Sequence, residues 1–148
     1  MKLYLDTSVL SALFDTRNPE RVEITREFFV ARVSDRLLVS ELTLAEIAAT
    51  PSEALRRAMA EIADRCETVA VVTDADRLAS QYIEAGAVTE AFSADAYHIA
   101  IAVACGADMV VSWNFRHIVR RKTRDVVNMV NTMRGYAHIE IAAPGELL

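Results

Sequence analysis

The sequence predicts an α/β protein of three layers, with helices on both sides of a central parallel sheet of four to five strands. Short apolar or β-branched runs alternate with helical periodicities along the whole chain, and that alternation builds parallel sheets because each strand-to-strand crossover carries a helix. The strand candidates are continuously apolar, as in Leu3-Tyr4-Leu5 and Leu37-Leu38-Val39, which suits strands covered on both faces. With 148 residues, 53% of them hydrophobic, the chain can bury a substantial core as one domain over residues 1–148, whereas two would be cramped.

Lys2 to Leu5 reads as strand one, and Val9 to Phe14 as a short helix that Asn18-Pro19 separates from the next. Glu20 to Val33 is helical, with Val22, Phe29 and Val33 among its apolar positions. Leu37 to Val39 is strand two. Thr43 to Ala49 is a helix stopped by Pro51, since proline disfavours helical geometry in the residue before it. Ser52 caps a further helix to about Arg65.

Thr68 to Val72 has the β-branched character of a buried parallel strand, and Asp74 to Ala85 is a helix closed by Gly86. Ala94 to Cys105 is apolar almost all round and is predicted to be the central buried helix. Met109 to Ser112 is strand four, Arg116 to Met133 is mostly helical, and Ile139 to Ala142 is a last strand.

The longest unbroken apolar stretch, Ile99 to Cys105, is far shorter than the ~20 residues of a membrane helix. Lys2 leads straight into a strand, not into a signal peptide. A cytoplasmic protein is expected. Cys66 and Cys105 lack metal-site spacing and read as reduced core thiols. Net charge is −5, yet Phe115 to Arg124 holds five basic residues and no acid. Such a patch on an acidic body is either a solvated helix face or a phosphate grip.

Carboxylates stand at three helix starts. Asp6 ends strand one, Glu46 follows strand two, and Asp95 heads the apolar helix. In open α/β sheets the functional crevice lies beyond the carboxyl ends of the strands. Asp6 and Asn114 project there, and Glu46 and Asp95 reach it if their helices begin on that side. Each residue has a structural alternative. Asp6 can be an N-cap, although Thr7 or Ser8 would cap equally well. Glu46 completes the capping box Thr43-Leu-Ala-Glu46, and Glu41 competes with it as an acid past strand two. Asp95 sits where a helix dipole favours an anion, but an acid heading so apolar a helix is partly buried and needs a cation or several donors. His98 reads as a hydrogen-bonded core-edge histidine or a crevice residue. Ser112 can bond a carboxylate, Asn114 can offer a carbonyl oxygen or begin a turn, and Trp113 and Phe115 read as packing residues, with base stacking as the alternative.

In order, Leu-Asp6-Thr-Ser, Glu46 in its helix, Ser-Ala-Asp95-Ala-Tyr-His-Ile-Ala and Ser112-Trp-Asn114-Phe resemble the PIN-domain family, best known from VapC-type toxin ribonucleases. The resemblance covers nearly the whole chain. It implies a parallel sheet between helices, an acidic pocket holding Mg²⁺ or Mn²⁺, hydrolysis of RNA phosphodiester bonds, a homodimer, and a small antitoxin partner. By resemblance Asp6, Glu46 and Asp95 are the main acids, Ser112 matches the usual Thr/Ser, and Asn114 stands where many members carry another aspartate. An amide can ligate a hard cation but brings no charge. The metal set implied is Asp6, Glu46, Asp95 and Asn114, with Glu46 as ligand or water-orienting group. Arg116, Arg120 and Arg121, just past the pocket, are the expected phosphate grips. The competing expectation is a PIN-like RNA-binding or protein-interaction module with weak or no catalysis. A haloacid-dehalogenase-type phosphatase wants an acid where Ser8 stands, and a phosphate-receiver domain needs a placed lysine. The only lysines are Lys2 and Lys122, and the four glycines form no phosphate loop.

Overall fold

The computed structural model describes all residues, Met1–Leu148. Five strands, β1 (Lys2–Leu5), β2 (Arg36–Ser40), β3 (Glu67–Val69), β4 (Met109–Val111) and β5 (Glu140–Ala142), form one sheet. Every pairing is parallel, and the order is β3-β2-β1-β4-β5. The helices are α1 (Thr7–Ala12), α2 (Pro19–Ala31), α3 (Glu41–Ala48), α4 (Glu53–Ala63), α5 (Thr73–Glu84), α6 (Ser93–Ala104) and α7 (Arg121–Arg134). Short 3-10 turns lie at Glu90–Phe92 and Pro144–Leu147.

The chain winds outward from β1 to β3, then returns to the far side of β1 as β4 and continues to β5. Because parallel crossovers are right-handed, reversing direction moves the helices to the opposite face. Alternate side chains accordingly feed two cores. Leu3 and Leu5 of β1, with Val39, Met109 and Val111, pack against α1 to α4 through Leu10, Phe28, Ile47 and Met59. Tyr4, Leu38, Val110 and Ile141 face α5, α6 and α7 through Leu78, Tyr82, Ile99 and Val127. This is the helix-covered parallel sheet predicted, with α6 buried along most of its length.

Four local expectations are corrected. The β-branched run after Cys66 is not a buried strand: β3 is a three-residue edge strand with Glu67 and Thr68 exposed. Its residue types suit any pleated surface, and topology decided that it lies at the rim. The third helix starts at Glu41, not Thr43, because Ser40 is the N-cap and its Oγ accepts from the Thr43 amide at 3.3 Å. Glu46 is therefore not a capping-box residue. The first helix begins at Thr7, directly behind Asp6. The last long helix begins at Arg121, with Arg120 extended (φ −151°, ψ 154°) at its N-cap position.

The late start of α7 has a local cause. Asn114 Oδ1 accepts from the His117 amide at 3.0 Å, and its backbone carbonyl accepts from Ile118 and Val119 at 3.1 and 2.8 Å. Residues 114–119 thus close into a turn before a helix can begin. Gly86 ends α5 in the left-handed region (φ +90°), the conformation glycine adopts without a Cβ clash.

Candidate active site

Adjacent strands β1 and β4 leave the sheet in connections of opposite direction, which makes their carboxyl ends the switch point where such folds open a crevice. Asp6 follows β1 directly, and its amide donates to Val111 of β4 at 3.2 Å. Ser112 follows β4. Its Oγ donates to Asp6 Oδ2 at 2.7 Å and accepts from the Asn114 amide at 2.9 Å. Asp6 Oδ1 accepts from the Ser8 amide at 3.1 Å and from the Ser8 hydroxyl. The aspartate is thus both the N-cap of α1 and a member of the crevice, and only 5% of it is exposed.

Glu46 arrives from α3 and Asp95 from the first turn of α6. Glu46 Oε1 accepts from Thr7 Oγ1 at 3.0 Å and contacts His98 Nε2. Asp95 Oδ2 lies 3.2 Å from His117 Nδ1, and the His117 ring stacks on Phe92 with centroids 3.9 Å apart. His98 is one turn beyond Asp95 on the same face of α6, so one helix supplies an acid and the partner of another.

The electrostatics tie the three acids together. Burial pushes the Asp6 carboxyl above its ordinary range and the charge of Asp95 adds to this, while His98, Ser112 and Ser8 offset part of it. Burial also pushes Asp95 upward, helped by the charge of Glu46 and opposed by His117, Asn114 and His98. Glu46 goes the other way. Its partial burial favours the neutral form, but the His98 bond and charge and the Thr7 hydroxyl hold it below the usual range.

The predicted site residues separate into groups. Asp6, Ser112, Glu46 and Asp95 share the crevice, and Ser112 bonds a carboxylate as expected. Asn114 lies at its rim, but the Oδ1 expected to face a cation is committed to the His117 amide. Arg120 is corrected: its guanidinium turns inward, donating to Thr123 Oγ1 at 2.8 Å and the Ala87 carbonyl at 2.7 Å. Arg116 and Arg121 remain exposed, Arg121 near Asp125 at 3.6 Å. Trp113 is a packing residue, its indole donating to Thr25 Oγ1 at 3.0 Å beneath the Arg21 guanidinium. Glu41 is exposed, 3.4 Å from the Val71 amide. Sequence reasoning missed Ser8, Thr7 and His117 as partners of the acids. The i, i+3 spacing of Asp95 and His98 was the signal available for His98.

As the side chains stand, no three His, Cys, Asp or Glu residues converge closely enough to enclose an ion. The donor chemistry nevertheless fits a hard divalent cation. The three acids offer oxygen ligands, none is paired with Lys or Arg, and two of them, Asp6 and Asp95, are disfavoured as anions by burial and by the charge of a neighbouring acid.

The PIN domain family matches residues 3–119. No curated protein matches the chain. Among solved structures, a chain in the crystal structure of DNA-bound VapBC from Salmonella typhimurium is similar at 22% identity and TM-score 0.62, covering 97% of this chain and 98% of that one. A chain of VapBC2 from Rickettsia felis, bound to a promoter DNA fragment, is similar at 12% identity and TM-score 0.61 with the same coverage. VapC20 of Mycobacterium tuberculosis, a toxin that cleaves the sarcin-ricin loop, is similar at 14% identity and TM-score 0.60, covering 93% of this chain and 98% of that one. At these identities the structures share the fold, while the family match spans most of the sequence and includes every acid of the crevice: the chain belongs to the PIN domain family.

Proposed function

We propose that the chain is a metal-dependent endoribonuclease that hydrolyses RNA phosphodiester bonds, and that it is the toxin of a type II toxin-antitoxin pair. The observation that carries the reading is the meeting of Asp6, Glu46 and Asp95 at the sheet's switch point with no lysine or arginine to neutralise them. Asp6 and Asp95 are the principal ligands for Mg²⁺ or Mn²⁺, and Glu46 is a ligand or orients the attacking water. A divalent ion bound there lowers the pKa of a water and neutralises charge growing on the phosphate.

The chain's own residues then have defined tasks. Ser112 and Ser8 hold Asp6 through their hydroxyls, fixing the direction of its oxygens. Thr7 and His98 do the same for Glu46. Asn114 shapes the rim by closing the turn after β4. Arg116 and Arg121 grip phosphates flanking the cleaved bond, giving affinity that falls with salt. Arg120 braces the turn against the Ala87 carbonyl.

Likeness to chains from VapBC assemblies supports a small antitoxin as partner, and likeness to a toxin that cleaves the sarcin-ricin loop supports RNA as substrate. No helix is long and apolar enough to cross a membrane, consistent with work in the cytoplasm. A homodimer completes the proposal. The second reading, a weak or inactive PIN-like binding module, is favoured by the engaged Asn114 oxygen and by the acids' not yet enclosing an ion.

Purified protein incubated with varied RNAs and Mn²⁺, Mg²⁺ or chelator separates the two. Cleavage that needs the ion and disappears in Asp6→Asn and Asp95→Asn supports the nuclease. Equal cleavage by these variants removes the assignment, and RNA binding without cleavage at any ion concentration supports the module.

A further inference from the structure

We propose that His98 is a positioning residue for Glu46, and that a buried chain of hydroxyls running through Ser40 and Tyr4 orients its ring. The inference rests on the nuclease reading, because it concerns how one acid of that crevice is held.

The line joins four elements, β1, β2, α3 and α6. The Thr43 amide donates to Ser40 Oγ at 3.3 Å, Ser40 Oγ lies 2.8 Å from Tyr4 Oη, and Tyr4 Oη lies 2.7 Å from His98 Nδ1. His98 Nε2 then meets Glu46 Oε1. Tyr4 and Ser40 are wholly buried and His98 is 3% exposed, whereas the Glu46 side chain is 38% exposed. The polar line therefore starts inside the protein and ends on a carboxylate at the crevice.

Proton inventory sets the direction of its last link. Ionised Glu46 only accepts, so His98 Nε2 carries a hydrogen whatever the state of Nδ1. Nδ1 is tied to Tyr4 Oη and that hydroxyl to Ser40 Oγ, which accepts from the Thr43 amide. Bonds at both ring nitrogens leave the ring one orientation, with Nε2–H aimed at Glu46. The Thr7 hydroxyl donates to the same Oε1 at 3.0 Å. Both donors converge on one oxygen, and Oε2 is left without a hydrogen-bond partner in the protein.

Packing alone does not call for this arrangement. Apolar side chains would fill the space between β1, β2 and α6 without the cost of desolvating three polar groups, and a buried polar line is tolerable only when every member is satisfied. Orientation of a ligand by the group behind it is the usual benefit of such a line at a metal site.

The test uses the full chain, with Mn²⁺ alone as probe in calorimetry and RNA cleavage as a second readout. His98→Leu keeps a similar volume but removes the donor. It is expected to weaken Mn²⁺ binding by about 10- to 100-fold and to lower kcat more than it raises KM. His98→Gln, whose amide can donate to Glu46, should recover most of both. Tyr4→Phe, which keeps the ring and removes only the hydroxyl, should weaken Mn²⁺ binding in the same direction by less. A purely structural role would lower thermal stability in these variants and leave the Mn²⁺ affinity of the folded protein unchanged, and that result overturns the proposal. If His98→Leu does not fold, wild-type affinity in Tyr4→Phe overturns it equally. Wild-type protein that neither binds Mn²⁺ nor cleaves RNA sinks the nuclease reading and this proposal together, whereas a competent wild type with indifferent variants sinks this proposal alone.

Discussion

The two ends of the sheet treat their acids in opposite ways. At the amino ends, Asp35 takes the Met1 ammonium at 2.8 Å and Arg32 at 3.6 Å, Glu67 takes Arg36 at 2.7 Å, and Asp108 accepts from the Lys2 amide at 2.7 Å. At the carboxyl ends, Asp6, Glu46 and Asp95 meet hydroxyls and imidazoles but no lysine or arginine. The consequence is a difference in how readily they ionise. The bond and charge of the Met1 ammonium, with Arg32, hold Asp35 below the ordinary carboxylate range, while burial and like charge push Asp6 and Asp95 above it. Acids at one end are satisfied within the chain. At the other, Asp6 and Asp95 remain costly as anions until positive charge arrives from outside.

The sharpest break of that contrast is catalytic. Asp95→Asn should reduce ion-dependent RNA cleavage by at least about 100-fold, equal to about 2.7 kcal/mol of barrier. Glu67→Gln at the opposite end should leave cleavage unchanged. Gel or fluorescence assays of cleavage rate compare the two directly.

Next in size is the response to the ion itself. Adding Mn²⁺ at about 100 times its dissociation constant should stabilise the wild type by about 2.7 kcal/mol. The same addition to Asp6→Asn should give little. Thermal melts with and without chelator measure both, and an equal shift in the two proteins would count against the crevice as the ion's site.

In ion-free protein the two ends should respond with opposite sign. Asp6 has a raised folded-state pKa, so the penalty of its charge is fully present above that raised value and is relieved as pH falls through it. Asp6→Asn should therefore stabilise the ion-free protein at neutral pH, by on the order of 1 kcal/mol or roughly 3 °C in Tm. Asp35 has a depressed pKa. Its contribution is complete above the ordinary carboxylate range and is lost as pH falls through the depressed value, so Asp35→Asn should destabilise at neutral pH and matter least in acid. Melts at several pH values check both signs.

The smallest effect belongs to the exposed pair at the sheet edge. Glu67→Gln should change stability by no more than about 1 kcal/mol, since both partners are half exposed and the pair is screened. A larger loss in a denaturant titration would mean that the amino-end pairs do more than neutralise charge.

Much of the fold was legible because apolar runs and helix periodicity report burial directly. Strand one was read to the residue, Lys2–Leu5, and the buried helix at Ser93–Ala104 was displaced by one position. What failed was decided by competition between neighbours. Ser40 and Thr43 are both good caps, and which one caps depends on where β2 ends. Asn114 could begin a turn or face a cation, and its choice of the His117 amide delayed the last helix to Arg121. The basic run looked uniform, yet Arg120 found the Ala87 carbonyl, a residue far away in the chain.

By itself the sequence determined the class of the fold, the depth of its core and the acids worth watching, because hydrophobic pattern and side-chain chemistry are local properties. Only the tertiary structure decided that β1 and β4 lie side by side, that Glu46 answers to His98 rather than to its own helix cap, and that no lysine or arginine pairs with the crevice acids. Those are contacts between segments distant in the chain, and their partners are chosen by the order of strands in the sheet, which no local pattern encodes.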